Sequence, residues 1–378
     1  MIYLDNAATT FPKPNSVTKA VLRFLTEKSA NPGRSGHKLS MEAAEEVYKC
    51  RDEAANLFNA EGPECVAFFM NATQAINAAL KGFLTKPAHV ITSCLEHNAV
   101  MRPLAKLSEK GITYSVADVN IDDDTTVSNF ENLIKKDTTM IACTHASNVC
   151  GKILPIEKLG MLCKARSLKF LVDASQTAGV IPIDMQKFGI DFLCLPGHKS
   201  LYGPMGTGML ITSIGESLDT IFEGGTGSNS TSLEQPEFMP DRLESGTVNA
   251  VGIAGLAAGI RYIKNRGITN IYNEEMHLAL KLYDNLKSLE YIKLYTERPE
   301  KGFVPLISFN VEDNSSIEIV TGLDNMGFAL RGGLHCAPAA HNFLGTLNQG
   351  MVRAGFGLYN NREEIKLLIS AIKKIKTL

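Results

Sequence analysis

The sequence has almost no net charge and lacks long apolar runs. Its 38 Lys and Arg residues nearly balance 40 Asp and Glu residues, which leaves a formal net charge of −2. Proteins that bind nucleic acids or membrane surfaces usually have a basic excess or basic clusters. No apolar run approaches the roughly 20 residues that span a bilayer. We therefore expect neither a nucleic-acid nor a membrane partner.

Paired cysteines are also absent. No Cys-x-x-Cys spacing occurs among the eight cysteines, at positions 50, 65, 94, 143, 150, 163, 194 and 336. A chain of this length does not depend on disulfides, and several of these residues lie in apolar runs typical of a core. The first residues, Met-Ile-Tyr-Leu-Asp, lack the basic and apolar segments of a secretory signal. These features favour a reducing, cytoplasmic location.

Short apolar runs alternate with helical patterns along most of the chain. The strand candidates are 66–70, 90–93, 139–144, 170–173, 192–195 and 208–211. Several are unbroken apolar runs, which is typical of strands buried on both faces. Between them, Ser40 is predicted to cap a helix that ends near Phe58. This alternation predicts an α/β fold with a mostly parallel sheet.

A length of 378 residues exceeds what one hydrophobic core usually supports, so two domains are expected. The pattern changes after about residue 255. We predict a large domain over residues 15–255. A smaller α/β domain would contain residues 1–14 and 256–378.

The segment Gly197-His198-Lys199 follows a strand candidate, and further glycines lie nearby. Glycine lets the backbone approach a ligand closely. A lysine here could form a Schiff base, which requires a site that lowers the pKa of its amine. The alternative is an exposed lysine in a turn.

Asp173 ends an earlier apolar strand candidate, where α/β sheets place ligand-binding groups. A carboxylate there could keep the pyridine nitrogen of pyridoxal phosphate (PLP) protonated, so that the ring withdraws electrons. The alternative is a helix cap. Likewise, Asn71-Ala72-Thr73 between a strand and a helix could bind a phosphate or simply cap the helix. The combination of Asp173 with Lys199 is more specific than either residue alone.

These segments belong to a set that runs nearly from end to end of the chain. The set is Tyr3–Thr9, Glu96–Ala99, Ser147-Asn148, Asp173–Gln176, Gly197–Lys199, Ser245–Thr247 and Arg331–Ala337. With this set the chain resembles the class V aminotransferases, and among them the cysteine desulfurases. The resemblance implies a PLP-dependent aminotransferase fold of type I. It also implies L-cysteine as substrate, L-alanine as product and a protein acceptor for the sulfur, as in iron–sulfur cluster assembly.

The same resemblance assigns roles to individual residues. Lys199 would hold PLP covalently, Asp173 would pair with the pyridine nitrogen, and His97 would stack on the ring and take part in catalysis. The implied cofactor-binding set is Lys199, Asp173, Gln176, Ala72, Thr73, His97, Asn148, His198 and Thr247, and no metal is expected. Thr247 would act at the neighbouring subunit's site, which implies a homodimer.

The substrate carboxylate would bind Arg353, because a guanidinium presents two parallel donors. Without the resemblance, Arg353 could equally be a surface arginine. The other implied substrate contacts are Arg331, Asn148, His37 and Ala8.

Three positions depart from the family pattern. Pro196 stands where many relatives have a phosphate-binding serine, and Val248 stands where proline is usual. Cys150 stands where an aliphatic residue is common, and it could be inert or an additional thiol near the site. The chemistry can proceed without the usual residue at each of these positions.

Cys336 is the residue that distinguishes a desulfurase from other PLP enzymes. It follows a Gly-Gly pair that suggests mobility, and Arg331 with His335 could favour its reactive thiolate form. The segment Arg331–Ala337 resembles the short catalytic loop of the SUF-type (group II) desulfurases. The implied product is a persulfide on Cys336.

Several other functions remain open at this stage. A selenocysteine lyase, a cysteine-sulfinate desulfinase, an aminotransferase or an epimerase would use the same cofactor. A PLP-binding protein without turnover is a further alternative. The residue set that contains Cys336 and Lys199 argues against that last alternative.

Overall fold

A computed structural model describes residues 1–33, 36–312 and 314–375. Residues 313 and 376–378 of the predicted small domain lie outside the described residues. The strands are β1 Ile2–Tyr3, β2 Val66–Phe69, β3 His89–Ser93, β4 Thr113–Ala117, β5 Thr138–Thr144, β6 Lys169–Asp173, β7 Phe192–Pro196, β8 Gly208–Ile211, β9 Ile292–Leu294, β10 Leu306–Val311, β11 Phe328–Ala329 and β12 Val352–Gly355.

Helices cover both faces of the main sheet and much of the C-terminal part. They are α1 Asn15–Glu27, α2 Lys38–Phe58, α3 Ala72–Phe83, α4 Asn98–Ser108, α5 Asp123–Glu131, α6 Ile156–Arg166, α7 Met185–Phe188, α8 Ala250–Arg266, α9 Ile268–Lys287, α10 Ser316–Asn325, α11 Pro338–Phe343 and α12 Arg362–Ile375. In the part of the chain that the structure describes, no helix is both long and apolar enough to cross a membrane.

The main sheet has seven strands in the order β2-β8-β7-β6-β5-β3-β4. Strands β4, β3, β5, β6 and β7 are parallel to one another, whereas β8 is antiparallel to both β7 and β2. The predicted α/β class with a mostly parallel sheet is confirmed. Because parallel strands end at one edge, the last residues of β5, β6 and β7 lie side by side there.

The six predicted strand segments all occur in this sheet as β2, β3, β5, β6, β7 and β8. Their residues are almost entirely buried, which explains their unbroken apolar runs. Strand β4 was not predicted. It lies at the edge of the sheet, and two of its five residues, Thr113 and Val116, are exposed. An edge strand with mixed burial has no clear apolar run.

A second sheet, in the order β12-β10-β9, forms the centre of the C-terminal part. Its apolar core includes side chains from α9, α10 and α12, together with Leu4 from the N-terminal arm, which is residues 1–14. The arm also pairs through β1 with β11, with Ile2 opposite Phe328. Residues Ile2 to Leu4 therefore pack against the C-terminal part of the chain.

The predicted domain boundary after residue 255 falls within α8. Buried residues on both sides of it, such as Ile253 and Ile263, pack in the same core as α1 and α2. Most of α9 packs in the other core. We propose that the division lies at Gly267, between these two helices.

Candidate active site

The turn that contains Lys199 follows the buried strand β7. It is closely packed, because a Cβ on Gly197 would clash with Thr207 Oγ1. The N-terminal arm holds the backbone of the turn. Thr9 Oγ1 donates to the carbonyl of His198 at 3.0 Å, and Thr10 Oγ1 donates to that of Lys199 at 2.9 Å. The turn therefore presents Lys199 in a fixed place.

Lys199 is not a solvent-exposed turn lysine. It is partly buried and lines a cavity of about 210 Å³. Burial lowers the pKa of its amine to about 8, while the nearby carboxylate of Asp173 opposes this change. A neutral amine, which can act as a nucleophile or take up a proton, is therefore accessible close to neutral pH.

Asp173 is the last residue of β6 and is 2% exposed. Its Oδ1 accepts a hydrogen bond from the N–H of Ser175 at 2.9 Å. The other oxygen is not used in that contact, and the residue lines the same cavity as Lys199. Gln176, one turn further on, donates from Nε2 to the carbonyl of Ala7 at 3.1 Å.

The N-terminus of α3 forms one end of the cavity, where Asn71, Ala72 and Thr73 lie. Asn71 caps the helix by accepting from the N–H of Gln74, so the cap is Asn71 and not Thr73. Strand β8 passes very close: a Cβ on Gly208 would lie 2.5 Å from the Asn71 carbonyl carbon. Thr73 lines the cavity at this helix N-terminus, where N–H groups without intrahelical partners favour an anion.

His198 borders this same cavity. Its Nδ1 is buried and has no hydrogen-bond partner among the described residues. Burial lowers the pKa of the ring to about 4, and the charges of Lys199 and Lys13 act in the same direction. A buried polar atom without a partner is costly, so a bound ligand that supplies the partner would be favoured.

His97 caps α4, because its Nδ1 accepts from the N–H of Ala99 at 3.0 Å. Its proton is therefore on Nε2 when the ring is neutral. Burial lowers the pKa of His97, while Asp173 opposes the change. The imidazole lines the cavity as a neutral ring.

Arg353, in β12, is 1% exposed and extends into the cavity. Its Nη1 donates to the carbonyl of Asn148 at 2.8 Å, and its Nη2 donates to Asp5 Oδ1 at 2.8 Å. It is therefore not an ordinary surface arginine. Its Nε has no partner within the described residues and remains available for an anion.

Cys336 does not line the cavity that contains Lys199. Its side chain is exposed and lines an adjoining cavity of about 330 Å³, which shares Thr73, His97 and Ala99 with the first. Arg331 lines the first cavity, and its Nη2 lies 3.6 Å from Cys336 Sγ. The thiol is thus at the entrance of the site.

All eight cysteines lie within the described residues, and Cys336 alone among them is exposed. Burial raises the pKa of Cys150, and that residue does not line either cavity. Of the two interpretations of Cys150, this placement favours the inert one. Pro196 ends β7 and lines the main cavity without a hydroxyl to offer.

The structure gathers most predicted site residues around the main cavity. These are Ala8, Ala72, Thr73, His97, Asn148, Asp173, Gln176, His198, Lys199, Arg331 and Arg353. Besides Cys336 in the adjoining cavity, two others lie apart. His37 is exposed and caps α2 by accepting from Ser40 N–H, so His37, and not Ser40, is the cap. Thr247 is exposed and lines a separate cavity with Glu244 and Asn249.

The residues present fit PLP. A carboxylate lies at the end of β6, a lysine amine lies on the adjoining turn, and an unpartnered His198 Nδ1 lies near the N-terminus of α3. These match the pyridine nitrogen, the aldehyde and the phosphate of that cofactor. Among the residues that the structure describes, no cluster of His, Cys, Asp or Glu could hold a metal ion.

Two residues of this region had no role in the sequence analysis. Asp5 was visible only as part of the Tyr3–Thr9 segment, and its pairing with Arg353 depends on a contact between the two ends of the chain. His341, beneath the Cys336 loop, gave no signal, because a lone histidine in a short helix is usually structural.

Comparison with known proteins agrees with this geometry. The model of the class V aminotransferase family matches residues 2–368. A cysteine desulfurase of Yersinia pestis is 32% identical, over 100% of this chain and 94% of its own length. A probable cysteine desulfurase of Borreliella burgdorferi is 33% identical, over 99% and 92%. This chain belongs to the class V aminotransferases, in the cysteine desulfurase family.

Solved structures of this family superimpose closely on the chain. The apo cysteine desulfurase of Thermococcus onnurineus has a TM-score of 0.92 and 31% identity, with coverage of 100% of this chain and 95% of that one. An Escherichia coli cysteine desulfurase in its S-sulfonic acid form has a TM-score of 0.90 and 26% identity, with the same coverage. The predicted type I fold of PLP enzymes and the predicted family are confirmed.

Proposed function

We propose that the protein is a PLP-dependent cysteine desulfurase. It removes sulfur from L-cysteine, releases L-alanine and holds the sulfur as a persulfide on Cys336. The observation that carries this proposal is the position of Cys336: an exposed thiol at the entrance of a cavity that brings together Lys199 and Asp173.

Cofactor binding uses three parts of the main cavity. Lys199 would bind PLP covalently, and Asp173 would pair with its pyridine nitrogen. Thr73, His198 and the N-terminus of α3 with Ala72 would hold the phosphate. Gln176, Asn148 and His97 would contact the ring. When bound, PLP supplies an electron-withdrawing ring that stabilises negative charge at the substrate carbons.

The substrate carboxylate binds the guanidinium of Arg353 through its unpartnered Nε. Asp5 and the Asn148 carbonyl fix the orientation of that guanidinium. Arg331, Asn148 and Ala8 complete this side of the cavity. The substrate is thereby oriented with its side chain toward Arg331 and Cys336.

Lys199 moves the protons of the reaction. Its amine, with a pKa lowered to about 8 by burial, takes the α-proton of cysteine and later protonates the β-carbon. The Cys336 thiolate attacks the substrate sulfur. A sulfur–sulfur bond forms, the carbon–sulfur bond breaks, and its electron pair stays on the carbon that Lys199 protonates. The α-carbon then regains a proton, equal in number to the one that the Cys336 thiol lost when it ionised. The sulfur is oxidised and the β-carbon is reduced, so that alanine and a persulfide result.

The direct test is incubation of the PLP-loaded protein with L-cysteine. We expect one alanine per sulfur released to a thiol acceptor. Without an acceptor, mass spectrometry should find one added sulfur atom on Cys336. Transaminated products without alanine would contradict the proposal. Parallel assays with selenocysteine and cysteine sulfinate would measure the preference between sulfur, selenium and the sulfinate.

We also propose a homodimer in which Thr247 contacts the phosphate in the partner's site. Its cavity of about 260 Å³ includes the exposed side chains of Met70 and Phe222. Exposed apolar groups around a predicted ligand-binding residue are typical of an interface. Obligate interfaces commonly bury more than about 2,000 Å².

Mixed dimers test this arrangement. Lys199→Ala subunits retain Thr247, whereas Thr247→Ala subunits retain Lys199. If the sites are shared, mixing the two under exchange conditions creates one site with both groups, and activity reappears. No recovery in mixed dimers, or a fully active monomer by light scattering, would contradict the shared site.

The sulfur acceptor is proposed to be a protein. The Cys336 side chain is exposed, so a partner's thiol can reach its persulfide. All eight cysteines are free, which supports a reducing, cytoplasmic location. Transfer of labelled sulfur to added thiol proteins, with Cys336→Ser as the control, tests this step.

A further inference from the structure

The backbone around Cys336 adopts a conformation that residues with a Cβ disfavour. His335 has φ of 51° and Cys336 has φ of 56°, so two consecutive residues lie in the left-handed region. Such conformations persist only where the surrounding structure determines them. The Arg331–Cys336 loop, which sequence suggested to be mobile, must therefore be held by specific contacts.

Backbone contacts hold both residues from one side. The His335 carbonyl accepts from Asn148 Nδ2 at 2.8 Å. The Cys336 carbonyl accepts from the N–H of Asn98 at 2.8 Å. These contacts fix the carbonyls, but they leave the His335 side chain to be held separately.

A pair of buried imidazoles holds the other side. The rings of His335 and His341 are nearly parallel, with centroids 5.6 Å apart and planes 9° apart. Both residues are at most 2% exposed. His335 Nδ1 lies 3.4 Å from His341 Nε2, and His335 Nε2 lies 3.3 Å from the Arg331 carbonyl oxygen. His341 Nδ1 lies 2.8 Å from Thr346 Oγ1.

The hydrogen-bond directions follow from the Arg331 carbonyl, which can only accept. His335 Nε2 must therefore carry a proton. Burial, with a contribution from Arg353, lowers the pKa of His335 to about 2, so the ring is neutral and its Nδ1 accepts. His341 Nε2 then donates to it, and the Thr346 hydroxyl donates to His341 Nδ1.

This chain of donors has two consequences for Cys336. Both His335 nitrogens are occupied, so His335 cannot act as the base that takes the thiol proton. The sequence suggested that His335 favours the thiolate form of Cys336. In the structure, His335 instead holds the loop in place. The chain ends on Arg331, whose guanidinium lies next to Cys336 Sγ.

We propose that His341 is a positioning residue for the sulfur-accepting thiol. Through the N–H that it donates to His335, it holds the Arg331–Cys336 loop in the left-handed conformation and keeps Arg331 beside the sulfur. This proposal rests on the function proposed above, because it takes Cys336 as the sulfur acceptor.

The test compares three substitutions of His341. In His341→Gln the side-chain amide can replace the Nε2 donor, whereas in His341→Asn the amide is too short and mimics only the Nδ1 side. His341→Leu removes both. For His341→Leu and His341→Asn we expect kcat with cysteine to fall roughly tenfold, as expected for loss of a left-handed conformation. KM and the absorbance of bound PLP should not change.

The glutamine variant should recover kcat to within about threefold of wild type, because it restores the donor to His335. Thr346→Val, which retains both imidazoles, should have the smallest effect. His89→Leu is the matched control. His89 is also fully buried with both nitrogens bonded, to Thr138 and Ser115, but it lies in β3 away from the site. It should lower the melting temperature and leave kcat unchanged.

A second measurement separates this proposal from the function itself. The alkylation rate of Cys336 by iodoacetamide needs no turnover, and it should change in His341→Leu and return in His341→Gln. If the alkylation rates change in this way but the wild type forms no persulfide, the desulfurase function is wrong and the positioning role of His341 still holds. Equal kcat and alkylation rates in the glutamine, asparagine and leucine variants would overturn the positioning role, as would a loss of kcat in His89→Leu of the same size.

Discussion

The floor of the main cavity, formed by Asp173 and Lys199, differs from the Cys336 loop in how firmly its residues are held and in how exposed they are. On the floor, Asp173 ends a buried strand and Lys199 lies on a turn closely packed against its neighbours. In the loop, Cys336 has an exposed side chain on a left-handed backbone. Bond breaking at carbon needs fixed groups away from water, whereas the sulfur must leave. The groups that must stay fixed therefore lie at or just after strand ends. The thiol that must pass sulfur on lies on a loop that is held by side-chain contacts.

The largest effect is expected on the floor. Lys199→Ala removes the proposed attachment point of PLP and the proposed proton-transfer group, so kcat/KM should fall by about 10⁴-fold or more. Borohydride reduction followed by peptide mapping should no longer label residue 199. Persistent labelling of another lysine in the active variant would show that Lys199 is not the cofactor-binding residue.

The next effect is expected from a substitution in the Cys336 loop. Cys336→Ser should eliminate the persulfide and cysteine turnover, because a serine hydroxyl stays protonated near neutral pH. The spectrum of bound PLP, and its change on addition of cysteine, should remain. With selenocysteine as a parallel substrate, part of the turnover should survive because the carbon–selenium bond is weaker. Cys150→Ser is the control, and a persulfide on another cysteine with full activity would refute the assignment.

A smaller effect on kcat/KM is expected at Arg353, the proposed binding residue for the substrate carboxylate. Arg353→Lys keeps a charge but loses the planar set of donors, and lysine cannot serve Asp5, Asn148 and the substrate together. Loss of one charged hydrogen bond predicts a roughly 10- to 150-fold lower kcat/KM for cysteine. PLP content should be unchanged. Steady-state kinetics with unaltered kcat/KM would remove Arg353 from substrate binding.

The smallest effect is a pH dependence of cofactor loading. The neutral amine of Lys199 reacts with the PLP aldehyde, and burial lowers its pKa to about 8. The loading rate of the apoprotein should therefore rise about tenfold per pH unit below 8 and level off above it. Stopped-flow absorbance from pH 6 to 9.5 measures this profile. A rate that continues to rise to pH 9.5 would place the lysine pKa close to its usual value.

Sequence reasoning placed candidate site residues in one cavity where a local pattern marks them. Strand β6 is a buried apolar run that ends in Asp173, and both features are visible within a few residues. The Lys199 turn is marked by its glycines in the same way. These local signals placed the sheet, and they gave the two floor residues that line one cavity.

The remaining features depend on contacts between distant segments. Asp5 binds Arg353, and Thr346 supports His341 beneath Cys336, without any local pattern that marks these pairs. The strand β4 has the mixed burial of an edge, and α8 continues through the expected boundary because its buried face packs on α1 and α2. Contacts between segments that are far apart in sequence therefore determine these pairs, the edge strand and the extent of α8, and local periodicity does not show such contacts.

The ion pair between Asp5 and Arg353 joins residues 348 positions apart and has a consequence for synthesis on the ribosome. At about 5–20 residues per second, the arm emerges roughly 20–70 s before its partners in β11 and β12. During that interval β1 has no strand to pair with, while the large sheet can already form. Arg353 therefore meets its carboxylate partner only after the strands of the main sheet have been synthesised, so nascent chains should form the Asp173 and Lys199 side of the cavity before the Arg353 side.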